Sequence, residues 1–317
     1  MAIVAGTTYH FTDLPPYISM LLQLNKMTPF TNLAGQKNGI RTVGDKVFDM
    51  SQVWSVDPGA QTGLSEEDTV NGVAATRVSR GLEQNGIQLF QHKPNVSYLR
   101  ESINNAAAPQ LAGKEYVNGN GSVDPVTFQI EAHLQKIQKD WDFSALNGAL
   151  NIPADETENF QMGGILPAIT TNAIDAGAVA LSKAKINEAL ISMADNGAPM
   201  QDLHIVCSPT TKTYISTLYG LSDRDSFNFG GVRVDTMVTD FALIPIVVDV
   251  HVPNGTILFA DMAYTVPVVL PYNGNAVTVE RKSENGASQQ WHVYAQGGFD
   301  FGSETVHSKL TNFIAPV

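Results

Sequence analysis

The chain has 317 residues, of which 43% are hydrophobic and 16% charged, and its formal net charge is −12 at pH 7. That length suffices for one large domain or for two or three lobes with sizeable cores. The acidity argues against a surface built to grip phosphates or anionic lipid, which needs clustered Lys and Arg, and the single cysteine excludes an internal disulfide. The charged share is low for a protein that stays soluble alone, and fits a surface partly covered by further copies of itself. The opening "MAIVAGTTYHFTDLPP" has neither a basic start nor a sustained apolar run, so no signal peptide is expected there. No run of about 18 apolar residues is present that could span a membrane.

Residues 1–44 read as an irregular arm, in which only "PPYISMLLQLNKM", entered by Pro15 and Pro16, suggests a short helix. No pattern in the arm would bury a core of its own, so it is expected to lie along something else. From "DKVFDMSQVWS" (45–55) the hydrophobic period becomes two, and a second extended run follows at 76–99. The Gly-rich, polar stretch 56–72 between them makes this a long hairpin with a mobile tip. Two strands alone bury too little to be stable, so the hairpin needs outside support.

The next segment, "DPVTFQIEAHLQKIQKDWDFSALNG" (124–148), reads as a rod. Asp124 suits a cap, Pro125 a first helical position, and Asn147-Gly148 a stop. Ile130, Leu134, Ile137, Trp141 and Ala145 form a narrow apolar stripe at helical spacing. The helix would be roughly 34 Å long, packed on one side and open on the others.

Residues 163–270 read as a compact α/β lobe. Ser182 caps a helix that ends at Asn196-Gly197, "HIVCS" is a buried strand, and Ser208-Pro209 starts the next helix. Strand-like runs then continue past 270 to the end of the chain, and no repeat is visible.

The chain carries little overt chemistry. The signatures G-x-x-x-x-G-K-[ST] and G-x-S-x-G are missing, and the G-x-G of "NGNGSVD" is a turn. The seven histidines are scattered without H-x-x-x-H spacing, and one cysteine cannot help build a zinc site. His204 and Cys207, both in an apolar strand, read as structural. Asp140 and Asp142 flank Trp141, but positions two apart on a helix face different ways. Asp223 and Asp225 bracket Arg224 in an apparent loop, and Glu66, Glu67 and Asp68 sit on the hairpin tip. Acidic loops of this kind are usually just solvated. No catalytic, cofactor-binding or metal-binding residue is assigned, and the chain reads as a non-enzyme.

Arm, long hairpin, long helix, α/β lobe and last sheet, in that order, resemble the major capsid proteins of tailed double-stranded-DNA phages. These have the α+β Hong Kong ninety-seven type of shell fold. The wording is similar to the podovirus-like branch in several blocks. They are "TPFTNLAG" (28–35), "VSRGLEQNGIQLFQ" (78–91), the rod itself, "GGILPAITTNAIDAG" (163–177), "TDFALIPIVVDVHVPNGTILFADMAY" (239–264) and "YAQGGFDFGSETVHSKLTNF" (294–313). The similarity runs from about residue 6 to residue 313.

The resemblance implies an N-arm over 1–44, an extended loop over 45–99, and a peripheral domain over 100–162 and 271–317. That domain carries a spine helix at 125–147, and an axial domain covers 163–270. The implied function is self-assembly as hexamers and pentamers into an icosahedral virion shell, formed in the bacterial host cytoplasm around packaged DNA, without sequence-specific binding. The implied partners are further copies, a portal, a separate scaffolding protein and a decoration protein, with no cofactor. Relatives of this fold include some that weld subunits through a loop lysine. Here Lys46 and Lys93 lie near the hairpin base and the tip has none, so a non-covalent lock is expected. In it Glu66, Glu67 and Asp68 dock on Lys136 and Lys139 of a neighbour. The alternatives are an encapsulin-type cellular shell of the same fold and, from the carboxylate pairs, a soluble acidic hydrolase.

Overall fold

The computed structural model describes residues 28–51, 63–72, 83–99, 102, 125–155, 157–219, 224–229, 232–239, 241–282 and 286–314. The expected arm helix before Thr28, the cap Asp124, Asp223 and most of the loop flanks lie outside the described residues. Helix α1 (Pro29–Asn38) was not anticipated by the reading of the arm, although it has a local signature. Pro29 occupies the first turn, where a missing N–H costs nothing, and Gly39 follows the last turn with φ +74. Phe30 and Ala34 are fully buried and Leu33 nearly so, each worth about 1.5–3 kcal/mol for the large side chains. This part of the arm is core, not a strap lying over one.

Beyond α1 the chain makes β1 (Arg41–Thr42) and then β2 (Val47–Asp49), which pairs antiparallel with β3 (Gln84–Gly86). These two strands are the hairpin base. The second run does not continue outward as a free strand: β4 (Gln88–His92) and β5 (Asn95–Ser97) both pair with β14 (Ser288–Asp300). Between the strands of the base lies α2 (Glu66–Asn71), a short helix where a mobile tip was expected.

The spine, α3, runs from Pro125 to Asn147 as the stripe predicts. Ile137 and Ala145 are buried and Trp141 lies on the six-stranded sheet. The indole rests against β14 because Gly297 has no side chain; a Cβ there would stand 2.8 Å from the ring. Trp141 Nε1 also donates to Gly298 O at 3.1 Å. The other faces of the spine are not uniformly open. Asp142, Ser144 and Leu146 are buried as well, because α1 and α4 (Ile165–Ala168) pack on its C-terminal half.

The six-stranded sheet is organised around β14. β12 (Val266–Val269) and β13 (Val277–Lys282) pair antiparallel with one edge, β4 and β5 with the other, and β1 adds in parallel to β12. A seven-stranded mixed sheet has the order β6-β15-β11-β7-β10-β9-β8. Its members are β6 (Ala173–Asp175), β7 (Leu203–Cys207), β8 (Arg224–Phe229), β9 (Val232–Val238), β10 (Leu243–Val248), β11 (Ile257–Asp261) and β15 (Ser308–Thr311). Asp225, read as a loop residue, is therefore on a strand. Helices α5 (Lys183–Asp195) and α6 (Pro209–Tyr219) pack on one face of this sheet, over Ile205, Cys207, Ile257 and Phe259. Val206, Leu258 and Ala260 point the other way, into the core shared with the spine.

Sheet membership crosses the expected segment boundaries. β15, from the expected peripheral segment 271–317, completes the axial sheet, while β12, from the expected axial segment 163–270, belongs to the spine's sheet. Apolar runs alone do not reveal which sheet a strand joins, because pairing over such separations is decided by tertiary packing.

Candidate assembly surface and buried junctions

The expected interface residues fall into two groups. Ser65 caps α2: its Oγ accepts from Asp68 N at 3.1 Å, and Asp68 Oδ2 accepts from Ser65 N at 3.2 Å. This is a reciprocal capping box, a signal that S-x-x-D carried in the sequence. Glu66, Glu67 and Asp68 line its first turn, where negative charge meets the positive helix end. The Ser65 hydroxyl and then its amide hold the Asp68 carboxyl below its usual range. All six helix residues are exposed, Val70 by 81%.

Lys136 and Lys139 lie on the spine, but Lys136 is already engaged. Its ammonium pairs with Asp140 one turn on, and His92 Nε2 sits 3.1 Å from the same carboxylate. Lys139 is half-buried. Lys46 lies 5.7 Å over the Phe160 ring, and Lys93 follows β4 at the sheet. The acidic helix belongs to the hairpin and the two lysines to the spine.

Sequence reasoning missed the buried polar junctions that fix the loop and arm to the body. Asn85 is 1% exposed. Its Nδ2 donates to Gly163 O (2.9 Å) and Phe299 O (2.7 Å), while Oδ1 accepts from Gly163 N (2.7 Å) and Gly86 N (2.8 Å). Asp300 accepts from Ser51 N and Oγ and from Arg41 Nη1, tying the chain before and after β2 to β14. Glu304 takes the amides and hydroxyls of Thr170 and Thr171. Its burial raises the carboxyl, but these donors outweigh that and hold it below the usual range. His307 is buried and neutral, pushed down to about 4 by desolvation; its Nδ1 accepts from Asp261 N at 3.1 Å.

A further junction joins three elements. Asp142 of α3 is fully buried, as is Asp249 after β10, and His251 lies between them. His251 Nδ1 is 2.8 Å from Asp142 Oδ2 and 3.4 Å from Asp249 Oδ1. Asp142 Oδ1 accepts from Thr31 N (3.0 Å) and Thr31 Oγ1 (2.7 Å). Asp249 accepts from His251 N (2.8 Å) and Phe30 N (3.4 Å). One nitrogen or oxygen atom from each of the three residues lies within 4.8 Å of the others. Both Asp142 oxygens are engaged, and the 2.8 Å spacing from His251 to Asp142 is that of a hydrogen bond. Hydrogen bonds from Asp142 and Asp249 push His251 up to about 9. Burial pushes the Asp142 carboxyl up to about 7.

The two residues expected to be structural are so. Cys207 is buried with its thiol pushed up to about 12 by desolvation. His204 is buried, and burial lowers its pKa; Nε2 faces Lys37 Nζ at 3.2 Å and Nδ1 faces Asp202 O at 3.0 Å. Between α1, α3 and the β12–β13 edge is an apolar crevice of about 40 Å³, lined by Thr28, Asn32, Ile137, Trp141, Val269 and Val277.

A long spine on a sheet that receives an extended hairpin, joined to a second α/β sheet, defines the Hong Kong ninety-seven type of shell fold. Solved structures with the same fold cover nearly the whole chain. The cyanophage A-1(L) capsid is 14% identical, with TM-score 0.62, covering 98% of this chain and 97% of its own. The satellite phage P4 procapsid is 7% identical, with TM-score 0.56 and coverage of 95% and 99%. The SrpI encapsulin of Synechococcus elongatus PCC 7942 is 13% identical, with TM-score 0.56 and coverage of 100% and 94%. No curated protein matches the sequence. The model of the SU10 major capsid protein family matches residues 3–313, and the chain belongs to that family. It is a structural component of an icosahedral phage shell, located in the virion capsid.

Proposed function

We propose that copies of this chain close as hexamers and pentamers around double-stranded DNA, held together without covalent links between subunits. The observation that carries this reading is the hairpin. It projects a capped, fully exposed acidic helix on a two-stranded base, an arrangement that gains its stability from a neighbour. In the proposed lock, Glu66, Glu67 and Asp68, with the exposed Val70, dock on an adjacent subunit. Lys139 is the preferred spine partner, since Lys136 would first have to leave Asp140. Exposed ion pairs are worth only about 0–1 kcal/mol each, but a shell repeats the contact in every subunit.

The proposed division of the chain follows the sheets. The extended loop lies outside the β2–β3 base, the peripheral unit comprises the spine and the sheet of β14, and the axial unit comprises the seven-stranded sheet. A net charge of −12 makes contact with packaged DNA weak and sequence-blind. A portal, a separate scaffolding protein and a decoration protein are the proposed partners, with assembly in the bacterial host cytoplasm.

Negative-stain microscopy of the expressed chain is expected to show closed shells, and deletion of residues 56–72 a soluble protein that forms none. Closed shells from the deletion would overturn the role of the loop. Particles boiled in detergent should run as one band near 34.2 kDa; a ladder would show a covalent lock. Family membership favours a phage shell over an encapsulin, and a cargo enzyme copurifying in place of DNA would reverse that preference.

A further inference from the structure

The first turn of α1 is capped from outside. Thr28, at the N-cap, makes no side-chain cap bond, and Pro29 has no N–H to satisfy. The next two amides, Phe30 N and Thr31 N, go to Asp249 and Asp142, carboxylates from two other elements. These carboxylates are buried, and among the described residues neither pairs with a lysine or arginine. His251 bridges them. We propose that Asp142, His251 and Asp249 form a proton-operated clasp that pins the start of α1 to the spine and releases it in mild alkali.

The direction follows from counting protons. With two protons bound, one on His251 and one on the carboxylates, the cluster is neutral. With one it carries −1, and with none it places two bare carboxylates side by side away from water, which is costly. Both shifts have the same sign. Asp142 and His251 hold their protons more tightly folded than unfolded, so stability present in mild acid is lost as pH rises. The Asp142 step is complete by about pH 7 and the His251 step by about pH 9. Negative charge does suit a helix N-terminus, but that effect is modest and opposes only part of the repulsion.

Other charged and titratable groups on the packed elements have partners of their own. Cys207 of β7, whose carbonyl accepts from Asp249 N at 2.9 Å, keeps its proton, since its thiol lies at about 12. Lys37, at the far end of α1, is tied to Asp202 and His204. Asp140 and Lys136 pair with each other on another face of the spine.

The test is hydrogen exchange on the purified full chain between pH 6 and 9.5, corrected for the intrinsic pH dependence of exchange. Protection of the amides of Phe30 to Ala34 should fall at least tenfold, while that of β11 stays constant. Asp142→Asn, which keeps an acceptor for Thr31 but cannot ionise, should flatten the profile. If that variant fails to fold, His251→Asn, which removes the bridging cation but keeps a neutral donor near the Nδ1 position, should already give lower protection than the wild type at pH 6. Constant protection in the wild type, an equal fall in β11, or a variant that keeps the wild-type profile would each overturn the clasp. The readout is local protection and not particle count, so its outcome is separate from whether shells form.

Discussion

Replacing Asn85 with alanine removes one carboxamide and leaves four main-chain groups without it: Gly163 O, Phe299 O, Gly163 N and Gly86 N. Each buried group left unpaired costs about 1–3 kcal/mol. Water entering the vacated space answers part of this, so the low end of the sum, about 4 kcal/mol, is the expected loss. Against a total stability of about 5–15 kcal/mol this is a large fraction. With a urea slope of about 3 kcal/mol/M it moves the midpoint by about 1.3 M. Asn85→Asp is the sharper probe, because it keeps shape and volume. It still accepts from the two amides, but turns a second carboxylate oxygen toward two carbonyl oxygens. The ionised form is disfavoured in the fold, which raises the folded pKa above the unfolded value of about 3.9. Stability is therefore highest near pH 4 and falls as pH rises through the folded pKa. Urea melts at pH 5 and pH 8 should show the aspartate variant below the alanine variant at pH 8 and recovering at pH 5. An alanine variant within about 1 kcal/mol of wild type, or an aspartate variant equal to wild type at pH 8, would refute the idea that Asn85 fastens the loop to the body.

Gly164→Ala should cost about 3 kcal/mol or more, since its Cβ would stand 2.5 Å from Gly148 N and 2.8 Å from Asn147 N, main-chain atoms that cannot yield; a urea midpoint near wild type would contradict this. Cys207 should resist maleimide in the native protein and react on unfolding, because the thiol is buried and pushed up to about 12; prompt labelling of native protein would show the strand opens. Glu304→Gln should lower the melting temperature at pH 7 and matter progressively less toward pH 3. The depressed carboxyl contributes stability above the unfolded pKa and loses it as pH falls through the folded one; a difference that grows in acid would reverse the sign.

The spine was legible because its apolar stripe, Pro125 and Gly148 are all local signals, and so were the two capped helices at Ser182 and Ser208. Helix α1 was not. "PFTNLAGQKN" has a weak stripe, its Asn32 and Thr31 look like surface residues, and its cap donors are answered by Asp142 and Asp249, distant in sequence. The same distance hid the clasp: Asp142 was visible only as half of a carboxylate pair with Asp140, from which helical geometry does separate it. The acidic tip was legible in composition, but its helical turn depended on reading Ser65 and Asp68 as one capping unit. Strand existence was readable from alternation; strand partnership was not, which is why β12 and β15 appear in sheets other than those their position suggested.

The two strands that organise this molecule, β14 at residues 288–300 and β15 at 308–311, are the last described strands to leave the ribosome. Before β14 exists, β4, β5, β12 and β13 have no common partner, and before β15 exists, β6 has none at all. Long-range pairing of this kind is slow to nucleate. A growing chain therefore carries unpaired strand edges until its last strands emerge, and such edges are templates on which identical nascent chains of one polysome can pair.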